Sequence, residues 1–405
     1  MRKWLSSQAE GLRKKRVWYW TRVALIIVAG LWVSDWIAKT GGWMKLRRSC
    51  SRALQDVAPI KPHPYATILV LIEDEEYWGL SEPFRSGPFT HRSPIRRDGL
   101  AKLVKAIAAE DPAVVALDLN LESPSPDGIP VDELEYAWET NELVKAIKEV
   151  PRRTSIVLPR TVREPWPGQY WENSAVYDGK DFGETKVSKG YISLPPAKDF
   201  RKIPLFTMTV QNGDSLGSLA QAIVRARNPR SSLDNKGVTL PTAAFVPLES
   251  FPHVSAGDVL KGEPGALNQL PHNIVIVGAH WHPDRDHGLL VDLHNSPLGM
   301  VPGALLHANY AEAILNERLY SEWQHNWLRV AEVTAAVLVA LISALKTGFF
   351  VKLIAIALIL LALVGMSILS LLAFASVFDS SILLIMVICH PVVERLVGKR
   401  ETARA

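Results

Sequence analysis

The chain has 405 residues, more than one ordinary core needs, and 48% of them are apolar, with 13 Trp and 27 Pro. The formal net charge is only +4, and the basic residues gather beside the most apolar stretches rather than as a stripe, which argues against nucleic-acid binding. The two cysteines, Cys50 and Cys389, are far apart and the second lies in an apolar run, which excludes a disulfide framework or a cysteine zinc site.

Residues 1–17 are basic, and an apolar stretch over 18–38 follows, rimmed by Trp18, Tyr19, Trp20, Trp32 and Trp36. Aromatic rims suit a membrane boundary, and no A-x-A-like cleavage site follows, so a retained transmembrane helix is expected rather than a signal peptide. Arg2, Lys3, Arg13, Lys14, Lys15, Arg16 and Arg22 precede or open this span and place the N-terminus in the cytoplasm. Five basic residues between Lys39 and Arg52 pull the other way.

Residues 39–325 have ordinary globular composition and read as an extracytoplasmic domain. "TILVLIED" (Thr67 to Asp74) is an apolar run of strand length. "RDGLAKLVKAIAAED" carries Leu100, Leu103, Val104 and Ile107 at helical spacing, with Asp98 as the expected cap. "AVVALDLNLE" (Ala113 to Glu122) is a second continuous apolar strand, which completes a βαβ unit. A charged helix from Asp132 to Glu149, the strand "SIVLP" and a helix from Ser215 to Arg227 continue the alternation. The segment Arg163 to Pro204 reads as an irregular insertion with one hairpin. The strand "NIVIVGA" and the helix "PGALLHANYAEAILN" close the domain. Continuous rather than alternating apolar strands imply an α/β domain whose mostly parallel sheet is covered on both faces.

Three further spans are expected, at 326–346, 349–375 and 377–397, before a tail at 398–405. From Leu353 to Val393 the only acidic or basic side chains are Asp379 and His390, and that length is about twice what one crossing requires, so the chain must fold back near Ser376 to Ser381. The turn carries Asp379 and no Lys or Arg. Lys346 and Lys352 precede it, and Arg395, Lys399, Arg400 and Arg404 follow it. Basic ends belong inside, so both termini are expected in the cytoplasm of a multi-pass inner-membrane protein. The fold class is thus an α/β extracytoplasmic domain plus an α-helical bundle of one N-terminal and three C-terminal spans. Arg329 and Glu332, three residues apart, read as a pair at the outer end of the second span.

In open parallel sheets, ligands bind beyond the carboxyl ends of the strands. Asp74, Asp118 and the loop after Gly278 fall there. They either share a polar pocket or cap neighbouring backbone amides. Arg96 and Arg97, just before the first helix, either pair with these carboxylates or face solvent.

These residues resemble the cyclase and histidine-kinase associated sensory extracellular domain of the second type, in the CHASE family. Its first strand ends in Ile-Asp, matched by Ile72, Glu73 and Asp74 with one residue of slack; an Arg before a helix follows, like Arg96 or Arg97, then a hydrophobic-Asp pair, like Leu117 and Asp118. Its later pattern is met by Val277 and Gly278, Asp292 before Ser296 and Pro297, Pro302 and Gly303, and His307, Ala308 and Asn309. The similarity covers roughly residues 50 to 320, with one anchor before and three spans after. "FRSGPFTHRSPIRR" departs from the family's tryptophan motif. Family members usually continue into a cytoplasmic cyclase or kinase domain, and this chain ends eight residues after Val397. The resemblance adds Asp292 and His307 to Asp74, Arg96, Arg97 and Asp118 as candidate ligand-binding residues.

"GAHWHPDRDHG" (Gly278 to Gly288) nearly spells the H-x-H-x-D-H signature of zinc hydrolases, but an inserted pair breaks its spacing. His280, His282 and Asp284 still make a donor set that zinc accepts, while His307 sits near the apolar stripe of its helix as a structural histidine would. No metal, cofactor or catalytic residue is expected. The expected function is a membrane-anchored sensor of an extracytoplasmic ligand or envelope condition, which relays to a separately encoded cytoplasmic partner. A homodimer is expected by analogy. The alternatives are an integral-membrane effector that perturbs the bilayer and a zinc-dependent hydrolase.

Overall fold

The computed structural model describes residues 65–79, 95–123, 133–166, 169–193, 208–209, 215–229, 246–282, 290–296, 299–316, 321–322, 349–374 and 376–377, with isolated positions between 330 and 338. The first and fourth expected spans, and most of the second, lie outside these residues. The chain divides into two compact units, one of Ile60–Leu319 and one of Met1–Pro59 with Tyr320–Ala405.

In the first unit, six strands form one sheet: β1 (Thr67–Glu73), β2 (Val114–Asp118), β3 (Ser155–Arg160), β6 (Lys186–Tyr191), β9 (His253–Ser255) and β10 (Ile274–His280). Their order is β6-β3-β2-β10-β1-β9, and every pairing is parallel. β1, β2, β3 and β10 are buried almost end to end, as continuous Val, Ile and Leu runs demand when helices cover both faces.

Alternate residues of each strand feed two separate cores. Ile68, Val70, Val115, Leu117, Val275 and Val277 pack beneath α2 (Arg97–Ala109), α3 (Glu133–Lys148), α5 (Ala256–Lys261) and α6 (Pro264–Leu267). Leu69, Leu71, Val114, Ala116, Ile274 and Ile276 face α4 (Leu219–Arg227) and α7 (Gly303–Leu315) on the other side. The period of two along a strand turns one apolar run into two cores.

Several sequence expectations need correction. The cap of α2 is Arg96, with Asp98 inside the first turn, where it binds the Arg96 side chain. β2 stops at Asp118 rather than reaching Glu122. The helix expected from Ser215 begins at Leu219, because Ser218 and Gln221 close a capping box there and β8 (Ser215–Leu216) precedes it, paired with β7 (Met208–Thr209). The supposed insertion does hold a hairpin, β4 (Val162–Trp166) with β5 (Gln169–Glu172), but it also supplies β6, an edge strand of the main sheet.

In the second unit, α8 (Phe349–Phe374) runs 26 residues, about 39 Å at 1.5 Å per residue. The short strand β13 (Ser321–Glu322) pairs in parallel with β14 (Ser376–Val377). Among the described residues, no helix is long and apolar enough to cross a membrane. Lys352 is the one charged residue in the sequence of α8.

Candidate functional site

Chain direction creates a crevice at the carboxyl ends of β2 and β10. After β2 the chain crosses to β3 by way of α3, on one face of the sheet; after β10 it enters α7, on the other face. Neighbouring strands whose connections depart to opposite faces leave a gap between them, where open α/β sheets bind ligands. Asp118 ends β2 in register with Gly278 of β10.

The helix α7 presses its first turn onto this point. A Cβ at Gly278 would collide with that of Ala304, so only glycine lets helix and strand come this close. Between β10 and α7 lies the antiparallel hairpin of β11 (Leu293–Ser296) and β12 (Gly299–Pro302). Asp292 enters it with φ of 56°, in the left-handed region that Asp tolerates better than most residues. Its carbonyl accepts from Gly303 N–H at 3.0 Å, and its carboxylate lies against the Gly303 α-carbon where a side chain would not fit. Asp292 is thereby clamped to the start of α7.

The result is a buried cluster. His307 is 2% exposed and Asp118 4%, with His307 Nε2 3.7 Å from Asp118 Oδ1. Among the described residues, neither His307 Nε2 nor Asp118 Oδ2 has a hydrogen-bond partner, in a place where an unmet polar atom costs about 1–3 kcal/mol. At its outer edge, His294 Nε2 meets Asp292 Oδ1 at 2.7 Å. Burial, reinforced by the Asp292 charge, raises the Asp118 carboxyl well above the usual carboxylate range. Burial also pushes the His307 imidazole down to about 4, against the opposing pull of Asp292.

Asp74 belongs to a different cluster, on the β1 side of β10. It opens the short helix α1 (Asp74–Trp78) and accepts from His282 N–H at 2.7 Å, while its other oxygen lies 2.6 Å from His282 Nδ1. Trp78 Nε1 donates to the His282 carbonyl at 3.2 Å, and Trp281 stacks on Tyr77 with centroids 4.4 Å apart. His280 Nδ1 sits 3.8 Å from Glu73 Oε1. These contacts tie the end of β10 to the end of β1. Among the described residues no three His, Cys, Asp or Glu side chains converge so as to hold a metal ion, and Asp284 lies outside them.

Arg96 and Arg97 point elsewhere. Arg97 is 1% exposed, lies over the Tyr136 ring at 3.5 Å and approaches the wholly buried Glu139 at 3.6 Å. Arg96 pairs with Asp98 at 2.8 Å and with Glu139 at 3.8 Å. Both join α2 to α3.

The structure thus brings together Asp118, Asp292 and His307, and separates them from Asp74, Arg96 and Arg97. It adds His294, whose only sequence signal is its place two residues after Asp292. No curated protein and no solved structure matches this chain. The model of the CHASE2 domain matches residues 19–345, well over half of the chain. Its match takes in β1, β2, the hairpin and α7, so the crevice is built from the matched residues, and the chain belongs to the CHASE2 domain family of sensory extracellular domains.

Proposed function

We propose that this protein is a multi-pass inner-membrane sensor whose extracytoplasmic domain responds to a small ligand or envelope condition at the Asp118–Asp292–His307 crevice, and passes the signal through its helices to a separate cytoplasmic protein. The observation that carries this reading is the pair of unmet buried polar atoms, His307 Nε2 and Asp118 Oδ2, at the point where the sheet's connections diverge. A folded core leaves such atoms unpaired chiefly where something else is to occupy or move them. His307 Nε2 and Asp118 Oδ2 are acceptors, so their complement is a small hydrogen-bond donor.

The membrane part of the proposal rests on charge and on the second unit. Ile354, Leu358 and Leu361, at helical spacing on α8, are 60%, 60% and 69% exposed, as a lipid-facing stripe would be. Ser321 and Glu322, before the expected second span, pair with Ser376 and Val377, which follow α8. This pairing supports two antiparallel helices with an inner connection flanked by Lys346 and Lys352. A ligand shifts such a device only by its differential affinity for two packings of the domain.

Affinity capture of the tagged intact protein in mild detergent tests the relay. The expected result is a cytoplasmic protein that is retained by the intact chain and lost when residues 398–405 or the Lys346–Lys352 connection are replaced. Capture of nothing through either segment would contradict it.

A further inference from the structure

We propose that Asp118 and His307 form a proton-binding site, holding one proton between Oδ1 and Nε2 and releasing it as pH rises, so that pH is the condition read at this crevice. This inference rests on the reading of the crevice as the sensory site.

The argument begins with the two nitrogens of the His307 ring. One hydrogen-bonds the backbone of Ile192, and this bond favours the charged ring, so it runs from a ring N–H to the Ile192 carbonyl. Nε2 has no partner. In the neutral ring it therefore bears the lone pair, and that lone pair faces Asp118 Oδ1 across 3.7 Å. With Asp118 ionised, two lone pairs oppose each other at a buried point, with the charge of a second carboxylate, Asp292, acting on it. One proton turns that repulsion into a hydrogen bond, for which the gap closes to about 2.7–2.9 Å.

Among the described residues, Asp292, at the start of the hairpin, and His294 of β11 are the titratable neighbours acting on the pair. The position of β10 in register with Asp118 is the uncharged Gly278. Loss of the proton leaves Asp118 and Asp292 as two facing negative charges. Of the two, Asp292 lies on the hairpin and is tied to Gly303, so the repulsion acts on the start of α7.

The test uses the full chain in detergent. Infrared difference spectra across a pH titration that starts above the ordinary carboxylate range read protonated carboxyl groups directly. The wild type is expected to lose a carboxylic-acid carbonyl band on raising the pH, and Asp118→Asn to lack that loss. An identical band change in Asp118→Asn would overturn the proposal. Should that variant fail to fold, Asp292→Asn serves instead: removal of its charge is expected to move the band's midpoint to lower pH, and an unmoved midpoint would contradict the coupling. Zn2+ or Mn2+ added alone is expected not to bind in a manner that Asp118→Asn abolishes; such binding would make the cluster a metal site and overturn the proton assignment. A titrating Asp118 in a chain that captures no partner would leave this inference standing and remove the relay, and the reverse result would do the opposite.

Discussion

Gly278→Ala probes the contact that shapes the crevice. The added methyl would meet one obstacle, the Cβ of Ala304, since the next atoms, the Ala304 α-carbon at 3.7 Å and Leu71 Cδ2 at 3.9 Å, lie at ordinary contact. Apolar carbons rest at about 3.5–4.0 Å, so α7 or β10 must move. Neither has room: Ala304 is 0% exposed, and Leu71, Ile276 and Ala308 around it are 0% as well. Overpacking of a rigid core costs about 1–3 kcal/mol, and the upper end applies here. At about 2–4 °C per kcal/mol for a domain of this size, the thermal midpoint should fall by about 6–12 °C. Ala304→Gly alone should cost about 1 kcal/mol through helix propensity, and the double variant should cost about the same, recovering about 2 of the 3 kcal/mol, a coupling of about 3 kcal/mol. Thermal unfolding of the full chain in mild detergent, followed by tryptophan fluorescence, measures all three. Gly265→Ala is the control, because nothing lies within 4 Å of that position. A Gly278→Ala midpoint equal to that of wild type, or a double variant no better than the single, would refute the close approach.

Other expectations follow from the same contacts. Glu139→Ala should destabilise the domain by about 3–5 kcal/mol, because it removes the carboxylate that pairs with the buried Arg97 guanidinium; the denaturation midpoint checks it. Arg160→Lys should cost about 2 kcal/mol in the same assay, since a lysine ammonium cannot reproduce the fork that binds both oxygens of Asp178 and also reaches Glu172. Ser218→Ala should cost about 1 kcal/mol through loss of the cap on α4, and helix-resolved hydrogen exchange should report it. For pH, the unfolded pair binds protons below about 6.5 on His and about 4 on Asp. The folded pair loses its His307 proton at about 4 but keeps that of Asp118 well above the usual range. Both states hold one proton between these limits, so stability is flat there. Above the unfolded His value and below the folded Asp118 midpoint only the folded state keeps its proton, and stability falls there with rising pH by up to about 1.4 kcal/mol per unit. In Asp118→Asn only the lowered His307 remains, so its stability should instead fall as pH drops below about 6.5; parallel curves for the two proteins would refute the assignment.

The legible parts of the fold were those whose signal is local. β1, β2, β3 and β10 are continuous apolar runs because the sheet is covered on both faces. β6 was hidden: "KVSKGY" puts Lys186 and Lys189 on an edge strand, where charge blunts further pairing and erases the apolar signature. β9 has only three residues. Within the site, Asp118 and His307 could be named but not joined, because 189 positions of chain separate residues whose meeting depends on α7 crossing the sheet. Arg97 was misplaced for the same reason, since its partner Glu139 lies on a helix two elements later. The partner of Asp74 was likewise distant, His282 at a separation of 208 residues.

The central claim is that the α/β unit stands outside the membrane with both termini inside. Protease added to intact spheroplasts, with separate epitope tags at the two ends, tests it most directly. The account predicts digestion between residues 39 and 325 while both tags stay protected until lysis. A central region that resists protease in intact spheroplasts and is cut only after lysis would contradict it.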